Sequence, residues 1–201
     1  MKHVSSKAVF AHWDSSRAGR PAPDRGDIDP MVIRHSLGDV FILAVDFVNE
    51  HRYRLAGTRL CTLFNRELKG ESFAAAFDEE SRVQITELLA AVADENAGVA
   101  GAVTARTADG SQADLELLLL PLAHQGHARV RALGVLAAGQ APYWAGEKPV
   151  KSLHLGAIRH VGPEVEKLSG RTFMTKAAAG LRRRFMVYQG GLEAGPGEKS
   201  I

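Results

Sequence analysis

A single cysteine, Cys61, is the first residue whose side chain could carry chemistry. One thiol excludes a disulfide within the chain. Cys61 lies in the stretch Leu60-Cys61-Thr62-Leu63-Phe64-Asn65, where the leucines and the phenylalanine recur at helical spacing. Because free cysteine is among the most buried residue types, the pattern predicts a core position for Cys61.

Two histidines, His124 and His127, lie three residues apart in a predicted loop that follows a strand with Asp114 and Glu116. A zinc site needs three or four ligands that converge in space, and no second group with ligand spacing is visible. We therefore interpret the loop as solvated and predict no metal site. The sequence also lacks a phosphate loop, a dinucleotide fingerprint and a nucleophile elbow, so we predict no catalytic residue and no enzymatic activity.

Three consecutive arginines, Arg182, Arg183 and Arg184, stand beside Phe185 and Tyr188. Guanidinium groups bind phosphates and aromatic rings stack on bases, so this segment is an anion-binding candidate for a nucleotide or nucleic acid. Anionic lipid, a cyclic dinucleotide and an acidic protein face are alternatives. The simplest interpretation is a solvated strand end.

The charge of the chain is unevenly distributed. Residues 1–147 carry 15 Lys and Arg against 19 Asp and Glu, a net charge of −4, whereas residues 148–201 carry 10 against 4, a net charge of +6. A basic tail on a mildly acidic body favours an anionic partner for the tail. No apolar run reaches the ~18 residues of a membrane span, and the first residues lack the apolar region of a secretory signal. We expect no membrane insertion and a cytoplasmic location.

The spacing of apolar residues predicts the elements that position these side chains. A strand at 40–45 and another at 52–56 form a hairpin, and a short helix follows with Leu60, Leu63, Phe64 and Leu68 on one face. Asp29-Pro30 predicts the start of a short helix before the first strand, with Asp as N-cap and Pro at the first helical position. Asp78 begins a helix over 79–96 with a stripe of Ile85, Leu88, Leu89 and Val92. Strands follow at 99–107, 112–121 and 128–138, with Asp109-Gly110 as a hairpin turn, and 150–158 is a possible further strand. Hairpin-sized connections predict an α+β fold with an antiparallel sheet and helices on one side.

The stretches GRPAPDRGDIDP, IRH and YRLAGTRLCTLFNRELKG resemble the PAS domain superfamily, in particular its small standalone bacterial proteins, over about residues 10 to 138. The resemblance implies a five-stranded antiparallel sheet whose first strand lies beside the last, with helices on one face. It divides the chain into an N-terminal helix and linker (1–26), a PAS domain (27–140) and a basic, partly disordered C-terminal extension (141–201). It implies a non-enzymatic sensory or protein-interaction module that acts as adaptor or regulator through a signalling partner.

PAS folds can hold a small molecule between helices and sheet. By this resemblance the ligand-pocket candidates are all apolar: Leu43, Val45, Leu60, Leu63, Phe64, Leu88, Val103, Leu117 and Val135. Specific sites add placed polar groups to an apolar wall, so we expect a packed core or a weakly selective pocket. The segment around Cys61 lacks the Asn-Cys-Arg-Phe-Leu-Gln-like pattern of flavin-binding relatives, and the helix at 79–96 lacks a histidine for haem. We predict no bound cofactor.

The first helix, predicted at 4–17, presents Val9, Phe10 and Trp13 on one face. A helix of this length is marginal alone in water, so the face must pack against the chain's own sheet or against a partner. PAS domains often dimerise through such a flanking helix. The resemblance therefore implies a homodimer with these three residues at the interface, and the alternative is an intramolecular cap.

Overall fold

The protein is built around one antiparallel sheet. A computed structural model describes residues 1–45, 50–123 and 131–162. Its six strands are β1 (Val40–Ala44), β2 (Tyr53–Ala56), β3 (Gly98–Thr107), β4 (Gln112–Leu122), β5 (Arg131–Ala138) and β6 (Val150–Val161). They lie in the order β2-β1-β5-β4-β3-β6, and each neighbouring pair is antiparallel. The predicted α+β fold is confirmed, and β1 lies beside β5 as the resemblance implied.

The described residues give the sheet six strands, whereas the resemblance implied five. The extra strand, β6, comes from the segment assigned above to the C-terminal extension, and it pairs with β3 along most of its length. Its residues Val150, Leu153 and Leu155 are buried against the main core, while Lys151 and Arg159 are exposed. Apolar residues at these positions need a sheet to cover them, so the strand joins β3 and closes that edge.

In the described part of the chain, three α-helices pack on the sheet, and they occupy both of its faces. They are α1 (Val4–Ser16), α2 (Thr58–Phe64) and α3 (Glu79–Glu95). Helices α2 and α3 share a core with one face, as predicted, whereas α1 shares a second core with the opposite face. Within the described ranges, no helix is long and apolar enough to cross a membrane.

Local sequence explains where α2 and α3 begin and end. The Asp78 carboxylate accepts a hydrogen bond from the backbone N–H of Ser81 at 2.9 Å, which caps α3. The left-handed residues Asn65 (φ 51°) and Asn96 (φ 53°) end α2 and α3 respectively. The predicted stripe of α3, namely Ile85, Leu88, Leu89 and Val92, is buried as a unit.

Alternation along the strands divides the core into two layers. In β1, Phe41 and Leu43 face α2 and α3, whereas Val40 and Ile42 face α1. The Phe41 ring lies over Gly134 of β5, where an added Cβ would clash with the ring. Glycine at 134 therefore makes room for an aromatic residue in the middle of the sheet.

The segment between α1 and β1 contains no α-helix, although Asp29-Pro30 predicted the start of a short one. It forms 3-10 turns at Arg25–Asp27 and Arg34–Asp39, and residues 17–39 are therefore named the 3-10 segment. Asp29 caps only a local turn, in which its carboxylate accepts the Met31 N–H at 2.8 Å. The segment lies against the α1 side of the sheet, where Ile33 is buried and Ile28 partly buried.

Candidate binding sites

The core between the sheet and helices α2 and α3 brings most of the predicted pocket residues together. Seven of them belong to one buried cluster, and Val45 packs against its margin; the seven are Leu43, Leu60, Leu63, Phe64, Leu88, Val103 and Leu117. Val135 does not belong there. Val135 lies in β5, pairs with Val40 of β1 and faces α1. Side chains alternate along the strand, so its neighbour Leu136 faces α3. A ligand-binding role for this set stays a prediction.

Four further aromatic side chains, which the sequence pattern did not place there, occupy the interior of that core: Phe41, Tyr53, Phe73 and Phe77. The ring centroids of Phe41 and Phe73 are 5.1 Å apart, those of Tyr53 and Phe73 5.6 Å, and those of Phe73 and Phe77 5.2 Å. These rings favour a packed core over a roomy pocket on this side of the sheet.

The Tyr53 hydroxyl is a polar atom in the interior of this core. It is fully buried and has no hydrogen-bond partner among the described residues. Burial raises the pKa of Tyr53, and the nearby Glu71 carboxylate adds to the effect. Tyr53 therefore stays neutral at physiological pH and acts in packing as an aromatic ring with a buried hydroxyl.

A cavity of about 360 Å³ lies on the other face of the sheet, beside α1. Its floor consists of the strand residues Val40, Ile42, Leu122 and Leu133, and its walls are formed by Ile28, Pro30, Ile33, Leu37 and Leu55. Arg25 is the charged residue in the lining. Sequence reasoning missed this cavity, because its wall is the 3-10 segment for which a regular helix was predicted. The alternation of Val40 and Ile42 was the available signal for an apolar floor.

A buried carboxylate next to the cavity joins three elements. Asp39 accepts hydrogen bonds of 2.7 Å from Nε and Nη2 of Arg59 and of 2.7 Å from the Ser5 hydroxyl. The same guanidinium donates to the His35 carbonyl at 3.0 Å. The Asp39 carboxylate raises the pKa of Arg59, since it stabilises the charged form. The Asp39–Arg59 pair thus holds α1, α2 and the 3-10 turn Arg34–Asp39 together.

A serine, a histidine and an aspartate meet where α3 begins. His154 Nδ1 lies 2.9 Å from Asp78 Oδ2 and 3.4 Å from Ser81 Oγ, and the Ser81 hydroxyl also accepts the Leu155 N–H at 2.9 Å. In a catalytic triad the serine and the acid contact different nitrogens of the imidazole ring. Here both approach Nδ1, so the geometry serves to fasten α3 to β6.

The remaining residues named in the sequence analysis differ in how deeply they are buried. Val9 and Trp13 are buried against the chain's own sheet, and the Trp13 indole N–H donates to the Pro121 carbonyl at 2.7 Å. Phe10 is only partly buried, with its ring 5.9 Å from that of Trp13. Helix α1 therefore caps its own sheet and covers Val9 and Trp13. A homodimer through this helix stays a prediction. Cys61 is partly buried and packs against the core.

Two predicted features lie outside the described residues. They are the loop with His124 and His127 and the arginines at 182–184. Among the residues that the structure describes, no group of three or more His, Cys, Asp or Glu side chains could hold a metal ion.

Comparison with known proteins places this architecture in a family. Solved structures that resemble it include a PAS domain from Haloarcula marismortui (17% identity, 52% of this chain and 88% of that one, TM-score 0.38). Others are the PAS domain of Bordetella pertussis BvgS (14%, 55% and 82%, 0.42) and one from Colwellia psychrerythraea (18%, 55% and 97%, 0.40). No curated protein sequence matches. The family model described as "PAS domain" matches residues 1–137, and the chain therefore belongs to the PAS domain family.

Proposed function

We propose that this protein is a non-enzymatic sensory module of bacterial signal transduction that acts as an adaptor by binding a partner protein. Membership of the PAS domain family supports the sensory part of the proposal. The fold alone hosts many functions, so the adaptor part needs a surface that a partner could bind.

The distribution of exposed apolar side chains carries the adaptor part. Seven large apolar residues of the described ranges are well exposed, and four of them, Met31, Val32, Leu37 and Leu55, come from the 3-10 segment and the neighbouring strand β2. Met31 and Val32 are consecutive, with 67% and 61% of their surface exposed. Exposed apolar residues that cluster in one region, rather than lying scattered, are typical of protein interaction sites.

The test replaces two of these residues and compares direct binding. Proteins captured from bacterial extract by the wild-type chain are identified, purified and titrated against the Met31→Ser/Val32→Ser double variant. We expect the variant to bind a true partner at least tenfold more weakly, because apolar contacts near the centre of an interface dominate its affinity. Val83→Ser is the matched control, since Val83 is 60% exposed but lies on α3. Equal binding by all three proteins would contradict the proposal.

The basic tail supports a second candidate, a nucleotide- or nucleic-acid-binding regulator that uses Arg182, Arg183 and Arg184. Its support is the sequence and its charge distribution, since the tail lies outside the described residues. This function predicts an affinity that falls steeply with salt, because counterions released from the nucleic acid drive binding.

A further inference from the structure

The cavity on the α1 side is a formed concave site. Its floor residues Val40, Ile42, Leu122 and Leu133 are buried in strands that pair with one another or with other strands of the sheet. The rim residues Leu37 and Leu55 keep 38% and 41% of their surface exposed, so the cavity opens to solvent. A volume of about 360 Å³ lies at the lower end of the range of small-molecule sites, roughly 300–1,000 Å³. It suits a single acyl chain or ring system better than a two-chain lipid.

The charged residue in the lining of the cavity is a cation. Arg25 lines it, and its side chain has no ion pair or hydrogen bond among the described residues. Two other arginines of the neighbouring segments are already engaged. Arg20 pairs with Asp24 and Asp27, and Arg59 is held by Asp39. The lining therefore combines an apolar body with one uncommitted guanidinium, whose planar fork matches a carboxylate.

We propose that this cavity binds an amphipathic monocarboxylate of medium chain length. Its apolar chain lies against β1 and β5, and its carboxylate meets Arg25 at the rim. The site lies on the face of the sheet opposite the aromatic core of Phe41 and Phe73. The inference goes beyond the proposed adaptor role and does not depend on it.

The test titrates the full-length protein with decanoate below its micellar concentration by isothermal titration calorimetry. We expect saturable binding of one decanoate per chain. Octanoate should bind roughly tenfold more weakly, because each methylene removed from an apolar site costs about 0.8 kcal/mol. The variant Leu37→Ala/Leu55→Ala should weaken both acids, since it removes the apolar rim.

A second set of measurements tests whether Arg25 binds the carboxylate. Arg25→Gln should weaken decanoate roughly fivefold, the upper range for a solvent-exposed ion pair, and should leave 1-decanol unchanged. The effect should shrink in 0.5 M salt, since exposed charges are then screened. Arg54→Gln is the matched control, because Arg54 is exposed on β2 but does not line the cavity.

Several results would overturn the proposal. These are no saturable binding of decanoate, an unchanged affinity in Leu37→Ala/Leu55→Ala, and an equal loss of decanoate and decanol in Arg25→Gln. A second copy of the chain in the cavity would also overturn it. In that case light scattering would show a dimer that Leu37→Ala/Leu55→Ala dissociates and that decanoate does not affect.

Discussion

Asp78 joins the beginning of α3 to strand β6 through both its backbone and its side chain. Its N–H donates to the Leu153 carbonyl at 2.9 Å, and its carboxylate is shared between the Ser81 N–H and His154. Burial by itself would raise the pKa of Asp78, but the hydrogen bonds from Ser81 and His154 outweigh it and lower the pKa. The charged carboxylate is therefore the form that the folded protein favours.

This shift predicts a pH dependence of stability. A carboxyl group whose pKa is lowered by folding contributes stability above the pKa of the unfolded chain, about 4, and that contribution is lost as the pH falls through the folded pKa. Asp78→Asn keeps a capping residue but removes the charge. The difference in unfolding free energy between wild type and variant should be fully present above about pH 5 and should decrease as the pH falls below about 4.

Urea unfolding at several pH values measures this difference. Asp94→Asn is the control, because Asp94 is exposed on the same helix and makes no hydrogen bond among the described residues. A difference between wild type and Asp78→Asn that stays constant from pH 6 to pH 3 would mean that the carboxylate charge does not contribute.

Helix α1 is the element whose packing decides how the sheet is covered. Trp13 is completely buried and Val9 nearly so, and the indole hydrogen bond to Pro121 fixes the helix over β4. We predict that Trp13→Ala lowers the unfolding free energy by about 3–5 kcal/mol, because it leaves a large cavity under α1. The molar mass measured by light scattering should not change, because the residue packs within its own chain.

Val4→Ala is the matched control for this prediction. Val4 begins the same helix but keeps 72% of its surface exposed, so its replacement should change stability by no more than about 0.5 kcal/mol. A dimeric wild type that becomes a folded monomer in Trp13→Ala would contradict the intramolecular cap and restore Phe10 and Trp13 as interface residues.

The sequence predicted which segments form helices better than it predicted which face of the sheet a side chain lies on. Helices α2 and α3 followed from residues that repeat at helical spacing, such as Leu60 and Leu63, because that period is a local property. Val135 was placed on the wrong face because the assignment did not fix the register of β5, and a shift of one residue turns every side chain to the other side. The cavity was missed because the residues after Asp29 adopt turns that only packing against the sheet decides.

At the scale of the whole molecule, strand β6 makes the region after residue 140 part of the fold. The family match ends at residue 137, yet β6 runs along β3 and covers the core with Leu153 and Leu155. The sheet is therefore incomplete without the segment that the sequence argument assigned to an extension. The same strand also receives the start of α3, through His154 and Asp78.

This arrangement predicts the effect of truncation. A chain that ends at residue 140 should unfold at a markedly lower temperature than the full-length protein, or aggregate, because the edge of β3 and the apolar residues that β6 covers become exposed. A chain that ends at residue 162 should keep the full-length melting temperature within a few degrees. Thermal unfolding followed by circular dichroism compares the three chains. Equal melting temperatures for all three would show that β6 is dispensable.

The outer side of β6 has a consequence for how this protein meets its neighbours. At the end of a sheet, the backbone of the last strand offers unused hydrogen-bonding groups to any extended chain that approaches. Among the described residues β6 is that last strand. Its centre is already used by the start of α3, since the Leu153 carbonyl accepts the Asp78 N–H and the Leu155 N–H donates to the Ser81 hydroxyl. The parts of the strand on either side of this contact carry Lys151 and Arg159 as exposed side chains. Two copies that approached each other through this edge would bring like charges together, which opposes fibre-like growth. An extended segment rich in aspartate or glutamate would meet attraction at the same place.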